Sequence, residues 1–191
     1  MNSEKIMELF EAIHIRQDTR KFKSDPIPRA LIERMLAAAV QAPNHHRVRP
    51  WRFVVLTGSA RERLGEVMAQ SMRKRDPGAM DEALAVERAR PVRAPVVIAV
   101  GVDPPRDPKV IEIENVCAAA AATQNLMLAA CGLGLATMWR TGAAARDPEV
   151  KACLGFEPDQ PLIGFIYVGF PLAEPSSVTR PSFEDRTVWM E

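Results

Sequence analysis

Apolar positions recur with two different periods along this chain, and the switches between them mark its elements. Ile6, Leu9, Phe10 and Ile13 fall at i, i+3, i+4 and i+7 with charged residues between them, which predicts an amphipathic helix ending near Ile15. A polar, cationic stretch from Arg16 to Phe22 follows, and Pro26 and Pro28 separate it from a second helix over 29–40. There Leu31, Ile32, Met35, Leu36 and Ala39 form one stripe, and the helix stops ahead of Pro43. The β-branched and aromatic run Trp51 to Leu56 predicts a strand. Ser59 is a candidate cap for a helix through about Arg73, with Leu64, Val67, Met68 and Met72 as its apolar side. The weakly amphipathic, charged segment Asp81 to Arg90 predicts a mobile surface helix or lid. Ala94 to Val100 is continuously apolar, as a buried central strand requires. Glu112 to Cys131 is the longest helix, rich enough in alanine for another helix or subunit to approach closely, and Gly132-Leu133-Gly134 ends it. Leu135 to Trp139 and Leu162 to Val168 are the remaining strands, with a helix over 149–154 opened by Asp147-Pro148. Four strands among about six helices predict an α+β layered domain, a single one spanning 1–191.

The tail from Leu172 onward is rich in proline and serine, yet it ends in Val188-Trp189-Met190. A freely solvated tail has no use for tryptophan there, so it is expected to pack, against a partner subunit. A hydrophobic fraction of 47%, a charged fraction of 26% and a net charge of +1 are globular values that indicate neither disorder nor a polyelectrolyte partner. Glu4, Lys5, Glu8 and Glu11 break up the apolar run that a secretion signal needs. The apolar stretch 116–136 is interrupted by Thr123-Gln124-Asn125 and suits a buried helix better than a membrane span, so a soluble cytoplasmic protein is expected. Cys117 and Cys131 stand about 21 Å apart along one helix and cannot pair. With no CxxC present, all three cysteines, Cys153 included, are expected to be small buried hydrophobes. Trp51 and Phe53 are expected in the core, with Met35, Met68 and Met72 filling gaps.

Several chemistries are disfavoured outright. There is no phosphate loop, no GxSxG elbow, and no third glycine after Gly132-Leu133-Gly134 for a dinucleotide fingerprint. His14, His45 and His46 lack spaced carboxylate or cysteine partners, so neither a metal site nor a catalytic triad is expected. Arg73-Lys74-Arg75 is expected to be a solvated face. The His45 to Arg52 cluster lacks interleaved exposed aromatics and a net basic domain, which disfavours nucleic acid. What remains is a set of cations at the ends of helices. Arg16 and Arg20 follow the first helix, and such a pair can bind a phosphate bidentately and stabilise negative charge on a conjugated ring. Either arginine alone is more ordinarily an exposed ion pair.

The order of segments adds to this. Arg16-x-Asp18-x-Arg20-x-Phe22, then Ala42-Pro43-Asn44, then Arg49-Pro50-Trp51-Arg52-Phe53 resembles the opening of the FMN-dependent nitroreductase family. Trp139-Arg140-Thr141-Gly142, the strand ending in Gly169, and Arg180-Pro181-x-x-Glu184-Asp185-x-x-x-Trp189 match in order, so the resemblance covers nearly the whole chain. The compact length looks most like the minimal single-domain bacterial members. The resemblance implies a three-layer α/β/α domain with a mixed, mainly antiparallel sheet, working as a homodimer with shared active sites and a tail exchanged between subunits. It implies FMN as cofactor, NADH or NADPH as donor, and no catalytic side chain. Arg16 would contact the FMN phosphate, with Gln17, Asp18 and nearby backbone meeting phosphate or ribityl groups. Arg20 would lie near N1 and O2 of the ring, and Gln41 and His45 would reach the flavin of the neighbouring subunit. Trp139, Arg140 and Thr141 would line the ring, and Arg180 would complete the phosphate site.

Two positions depart from the family pattern: Asp18 replaces a serine, and Arg49 replaces the glutamine before Pro-Trp. The implied reaction is a ping-pong cycle in which NAD(P)H reduces the flavin and a nitroaromatic, quinone or similar electron-poor ring reoxidises it. The alternatives are a dehalogenase or dehydrogenase on the same fold, or a non-catalytic flavin-binding protein. No ribose-reading motif selects NADH or NADPH.

Overall fold

A computed structural model describes residues 7–173 and 179–191. Ile6, Glu4 and Lys5 lie outside the described residues, as do residues 174–178 of the proline- and serine-rich tail. Strand β2 (Val96–Val102) is buried at every position. It lies between β1 (Trp51–Leu56) and β4 (Leu162–Gly169), and β3 (Ala136–Arg140) completes the order β1-β2-β4-β3. Alternation along β2 divides the interior into two cores, as the strand period requires. Val96, Ile98, Val100 and Val102 join Ile166 and Val168 of β4 in one core, while Val97 and Ala99 join Phe165 and Tyr167 in the other.

Helices cover both faces. On the first lie α1 (Leu9–Ile15), α2 (Arg29–Ala39) and α5 (Glu112–Gly132), whose buried Ala118, Ala119, Ala122 and Ala130 allow close packing. On the second lie α3 (Ser59–Arg75), α4 (Asp81–Ala89), α6 (Ala143–Arg146) and α7 (Pro148–Cys153). The domain is therefore three-layered and α+β. The expected mixed sheet is antiparallel in all its strand pairs; its parallel component is one isolated bridge, Asp18 to Thr137. Between Val100 and Gly101 the β2–β4 register shifts, next to Gly164 at φ 151°. A Cβ on Gly164 would lie 2.4 Å from Trp139 Nε1, so only glycine lets the indole cross the strand here.

Several expectations are corrected on the second face. Gly58, not Ser59, holds the N-cap of α3; Ser59 Oγ instead accepts a bond from Arg63 Nη1 at 3.1 Å. Residues 81–90 form a surface helix, as expected, and it is packed against α3. α4 docks on α3 where Gly65 admits the Arg88 carbonyl, Leu84 is buried, and an Arg88–Glu66 pair at 2.7 Å fastens it, while Arg90 and Glu87 pair at 2.6 Å within the end of α4 itself. Arg73, Lys74 and Arg75 keep the solvent exposure expected of them and are also an ion-paired seam, because the last turn of α3 meets acids on the neighbouring elements: Asp81, Glu149 and Asp147.

Asp147 is the hub of that seam. It caps α7 by accepting the Glu149 and Val150 amides at 2.9 and 3.2 Å, and it also bonds Ser71 and Arg75. Burial raises its pKa, but the Ser71 and amide hydrogen bonds and the Arg75 charge outweigh that and hold the carboxyl below the ordinary aspartate value. The cysteines are corrected as well. Cys117 and Cys153 are exposed and Cys131 is half-buried, because the helix faces they occupy lie away from the sheet. No described helix is long and apolar enough to cross a membrane.

Candidate active site

The chain leaves α1 at Arg16 in an extended conformation, with φ −56° and ψ 124°, and runs along the edge of β3. Thr19 donates its amide to Thr137 O at 2.8 Å beside the Asp18–Thr137 bridge. Further on, Phe22 bridges to Pro171 and packs on Gly169, where a Cβ would come within 2.8 Å of Phe22 Cβ. Lys23 N–H donates to Phe170 O at 2.9 Å. Both ends of the cationic stretch are thus pinned, one to β3 and the other to the exit of β4.

Pinning brings distant residues together. Arg16 Nη1 stands 3.7 Å from Asp18 Oδ1, which also accepts the Trp139 amide at 3.4 Å. Arg180 Nη2 donates to the carbonyl oxygen of Arg16 at 3.0 Å. The Arg16 side chain is mostly buried, whereas Arg20 is exposed and has no ion-pair partner among the described residues. Arg16, Gln17 and Thr19 line a cavity of about 290 Å³ with Thr137 and Cys131. Burial pushes the Cys131 thiol pKa up; Arg16 opposes the shift and Glu11 adds to it. Trp139 is held by its Nε1–H bond to Ile163 O at 3.2 Å, and Arg140 and exposed Thr141 follow it at the strand end. Of the ten sequence-predicted residues, Arg16, Gln17, Asp18, Trp139 and Arg180 meet here, and Arg20, Arg140 and Thr141 flank them.

Gln41 and His45 are not part of this cluster. Gln41 lies in the turn just after α2, with Nε2 donating to Ala37 O at 3.4 Å, and His45 lies on a second cleft of about 590 Å³. Pro43, Asn44 and His45 form one wall, and Ile113, Glu114, Cys117, Ala118 and Ala121 of α5 form the other. The loop leading on from His45 is strained. His46, Arg47 and Arg49 adopt φ of 51°, 55° and 53°, a left-handed conformation that costs a non-glycine residue about 1–3 kcal/mol.

Hydrogen bonds hold the loop in place. Asn44 Oδ1 accepts the Arg49 amide at 2.9 Å, His45 O accepts that of Val48 at 3.2 Å, and Pro50 O accepts that of Asp103 at 2.7 Å. Asp103 also pairs with Arg52 at 2.6 Å, and its carbonyl accepts from Asn115 Nδ2 at 3.1 Å. The sequence reading missed the Asp103 hub, the strain and the α5 wall. Only the spacing of 114, 117, 118 and 121 on one helix stripe signalled the wall, since no glycine marks the left-handed residues.

Several large apolar side chains face solvent, one of them, Ile113, on this cleft. Phe10 is 75% exposed, Ile113 62%, and Trp189 80%, with Leu9, Ile111, Val188 and Met190 also exposed. The tail 179–191 is exposed throughout on its own chain, so the packing expected for Trp189 is not found within this subunit.

Residues 13–170 match the family model described as the Nitroreductase family. A relative from Escherichia coli (strain K12), named "Putative NAD(P)H nitroreductase YdjA", is 30% identical over 172 residues, covering 90% of this chain and 92% of its own. A nitroreductase-like family protein from Bacillus cereus superposes with a TM-score of 0.83 at 24% identity, covering 97% of each chain. The FMN- and NADPH-dependent nitroreductase NfnB of Sphigopyxis sp. strain HMH superposes at 0.79 with 19% identity, covering 97% of this chain and 100% of its own. These two likenesses show the fold, whereas the family match and the relative place the sequence. The chain belongs to the nitroreductase family.

Proposed function

We propose that this protein is a homodimeric, FMN-dependent NAD(P)H oxidoreductase that reduces nitroaromatic, quinone or similar electron-poor acceptors by a ping-pong mechanism. The observation that carries the reading is the convergence of Arg16, Asp18, Trp139 and Arg180, three distant segments joined by the hydrogen bonds of the 16–23 stretch. Family membership and the relative named for NAD(P)H support it, as does the fold shared with an FMN- and NADPH-dependent enzyme.

The residues fit such a cofactor. The Arg180 guanidinium bonds the backbone of Arg16, which puts two arginines at the start of the stretch, a donor set suited to a phosphate dianion. The one acid beside them, Asp18, is engaged by Arg16 and the Trp139 amide, so its charge opposes a phosphate less than a bare carboxylate would. In this reading Arg16 and Arg180 hold the phosphate, and Gln17 and Asp18 face phosphate or ribityl groups. Arg20, free of any acidic partner among the described residues, balances negative charge on the ring, a preorganised electrostatic role. Trp139, Arg140 and Thr141 line the ring. Bound FMN supplies the hydride chemistry; the chain supplies binding, orientation and charge.

Within one chain His45 sits on a different cleft from Arg16, and Gln41 lines neither of the two. A site completed by Gln41 and His45 of a second copy accounts for that separation, and the exposed apolar surface with its tail is what such a copy would cover. The test is the visible spectrum of purified protein before and after FMN. Retained yellow flavin, bleached anaerobically by NAD(P)H and restored by an acceptor with parallel-line initial-rate kinetics, is expected. Protein that stays colourless after FMN addition overturns the proposal.

A further inference from the structure

The loop from Asn44 to Arg52 carries cations that the flavin reading does not use. Arg52 is neutralised by Asp103, but Arg47 and Arg49 are exposed and have no acidic partner among the described residues. The one carboxylate lining the adjoining cleft, Glu114, lies on its opposite wall. Both arginines sit in left-handed backbone, with right-handed Val48 (φ −64°, ψ −33°) between them. Such alternation can turn successive amides toward an anion. Here the Val48 and Arg49 amides are already given to His45 O and Asn44 Oδ1, so the guanidiniums are what the loop offers a ligand. Strain of this kind persists where surrounding structure over-determines it, as the Asn44 and Asp103 bonds do here.

Two guanidiniums separated by one residue suit a phosphomonoester dianion. We infer that Arg47 and Arg49 form a subsite for the 2′-phosphate of NADPH on the loop whose Asn44 and His45 line the 590 Å³ cleft, so that the protein prefers NADPH to NADH. The ligand class rests on the oxidoreductase reading above. Only the 2′-phosphate distinguishes the two donors; the pyrophosphate is common to both.

The test is calorimetric binding of 2′,5′-ADP and 5′-AMP to full-length, FMN-supplemented protein, together with kcat/KM for NADPH and NADH. Wild type is expected to bind 2′,5′-ADP at least about tenfold more tightly than 5′-AMP, the scale of a charge-assisted pair. Arg47→Asn/Arg49→Asn removes the charge with a residue that tolerates left-handed backbone. It should abolish that preference and lower kcat/KM for NADPH by the same factor, with NADH changed less than about twofold. Arg47→Lys/Arg49→Lys should retain most of the preference, and Arg63→Gln on the opposite helical layer all of it. If the Asn pair fails to fold, the two single Asn variants carry the test, each losing part of the preference.

A wild type without preference for 2′,5′-ADP overturns the inference, as does a preference that survives charge removal. Equal loss for both donors assigns the arginines to the pyrophosphate and also overturns it, and an equal effect of Arg63→Gln assigns the preference to diffuse charge. Selective 2′,5′-ADP binding without hydride transfer from either donor would leave the subsite standing and sink the oxidoreductase reading instead.

Discussion

On one side of the sheet α3, α4 and α7 neutralise one another; on the other, α1, α5 and the tail hold apolar side chains and cations out to solvent. The first side pairs Arg73, Lys74, Arg75, Arg88 and Arg90 with acids and converges on buried Asp147. The second exposes Phe10, Ile113 and Trp189 and leaves Arg20, Arg47 and Arg49 without ion-pair partners among the described residues. The helices of the first side carry more charged residues, yet it is the pairing of those charges that sets the side apart. The difference lies in completeness: one layer satisfies its groups within the chain, while the other leaves apolar side chains and cations facing solvent.

The largest effect expected is on the closed side. Asp147→Ala removes a helix cap and a buried partner of Arg75 at once and should destabilise the protein by about 4 kcal/mol in denaturant unfolding. The same group sets a pH dependence. Its folded pKa is depressed, so its stabilisation is present above the unfolded value and is lost as pH falls below about 4 through the folded one. Asp147→Asn should flatten that acid limb of the stability curve. On the open side, Phe10→Glu should leave folding stability within about 0.5 kcal/mol, because the ring is exposed in the monomer. It should weaken dimerisation by about 3 kcal/mol in light scattering or analytical ultracentrifugation.

Arg16→Ala should weaken FMN binding by about 2 kcal/mol, roughly thirtyfold, in fluorescence titration, with the dimer intact. Asp18→Ser restores the family's residue and should change FMN affinity by less than about 0.5 kcal/mol, since the carboxylate is already engaged. A large gain in affinity would mean that Asp18 opposes the phosphate in full.

Much of the closed side was legible from local pattern. The limits of β1 agree to the residue, and Asp147-Pro148 announced the cap of α7 correctly. What escaped was pairing between elements distant in sequence. The ion pairs of Arg73 to Arg75 were hidden because their acids lie on other elements, and the docking of the 81–90 segment because the Gly65 notch that seats Arg88 is invisible in a single window. The four-residue α6 was too short to show a period. Arg16, Asp18, Trp139 and Arg180 were named from ordered motifs, but their convergence through Thr137 needed the fold. The cysteines were misjudged because helix position, rather than residue type, decided their burial.

The account stands or falls on whether a single chain carries half of each site. Arg16→Ala chains and Gln41→Ala/His45→Ala chains, co-expressed with different tags and purified as mixed dimers, test this directly by flavin titration. Shared sites predict that each parental homodimer binds FMN weakly at both sites, while the mixed dimer recovers one site of wild-type affinity, with one flavin per dimer. Mixed dimers that bind no better than the parental proteins would contradict it.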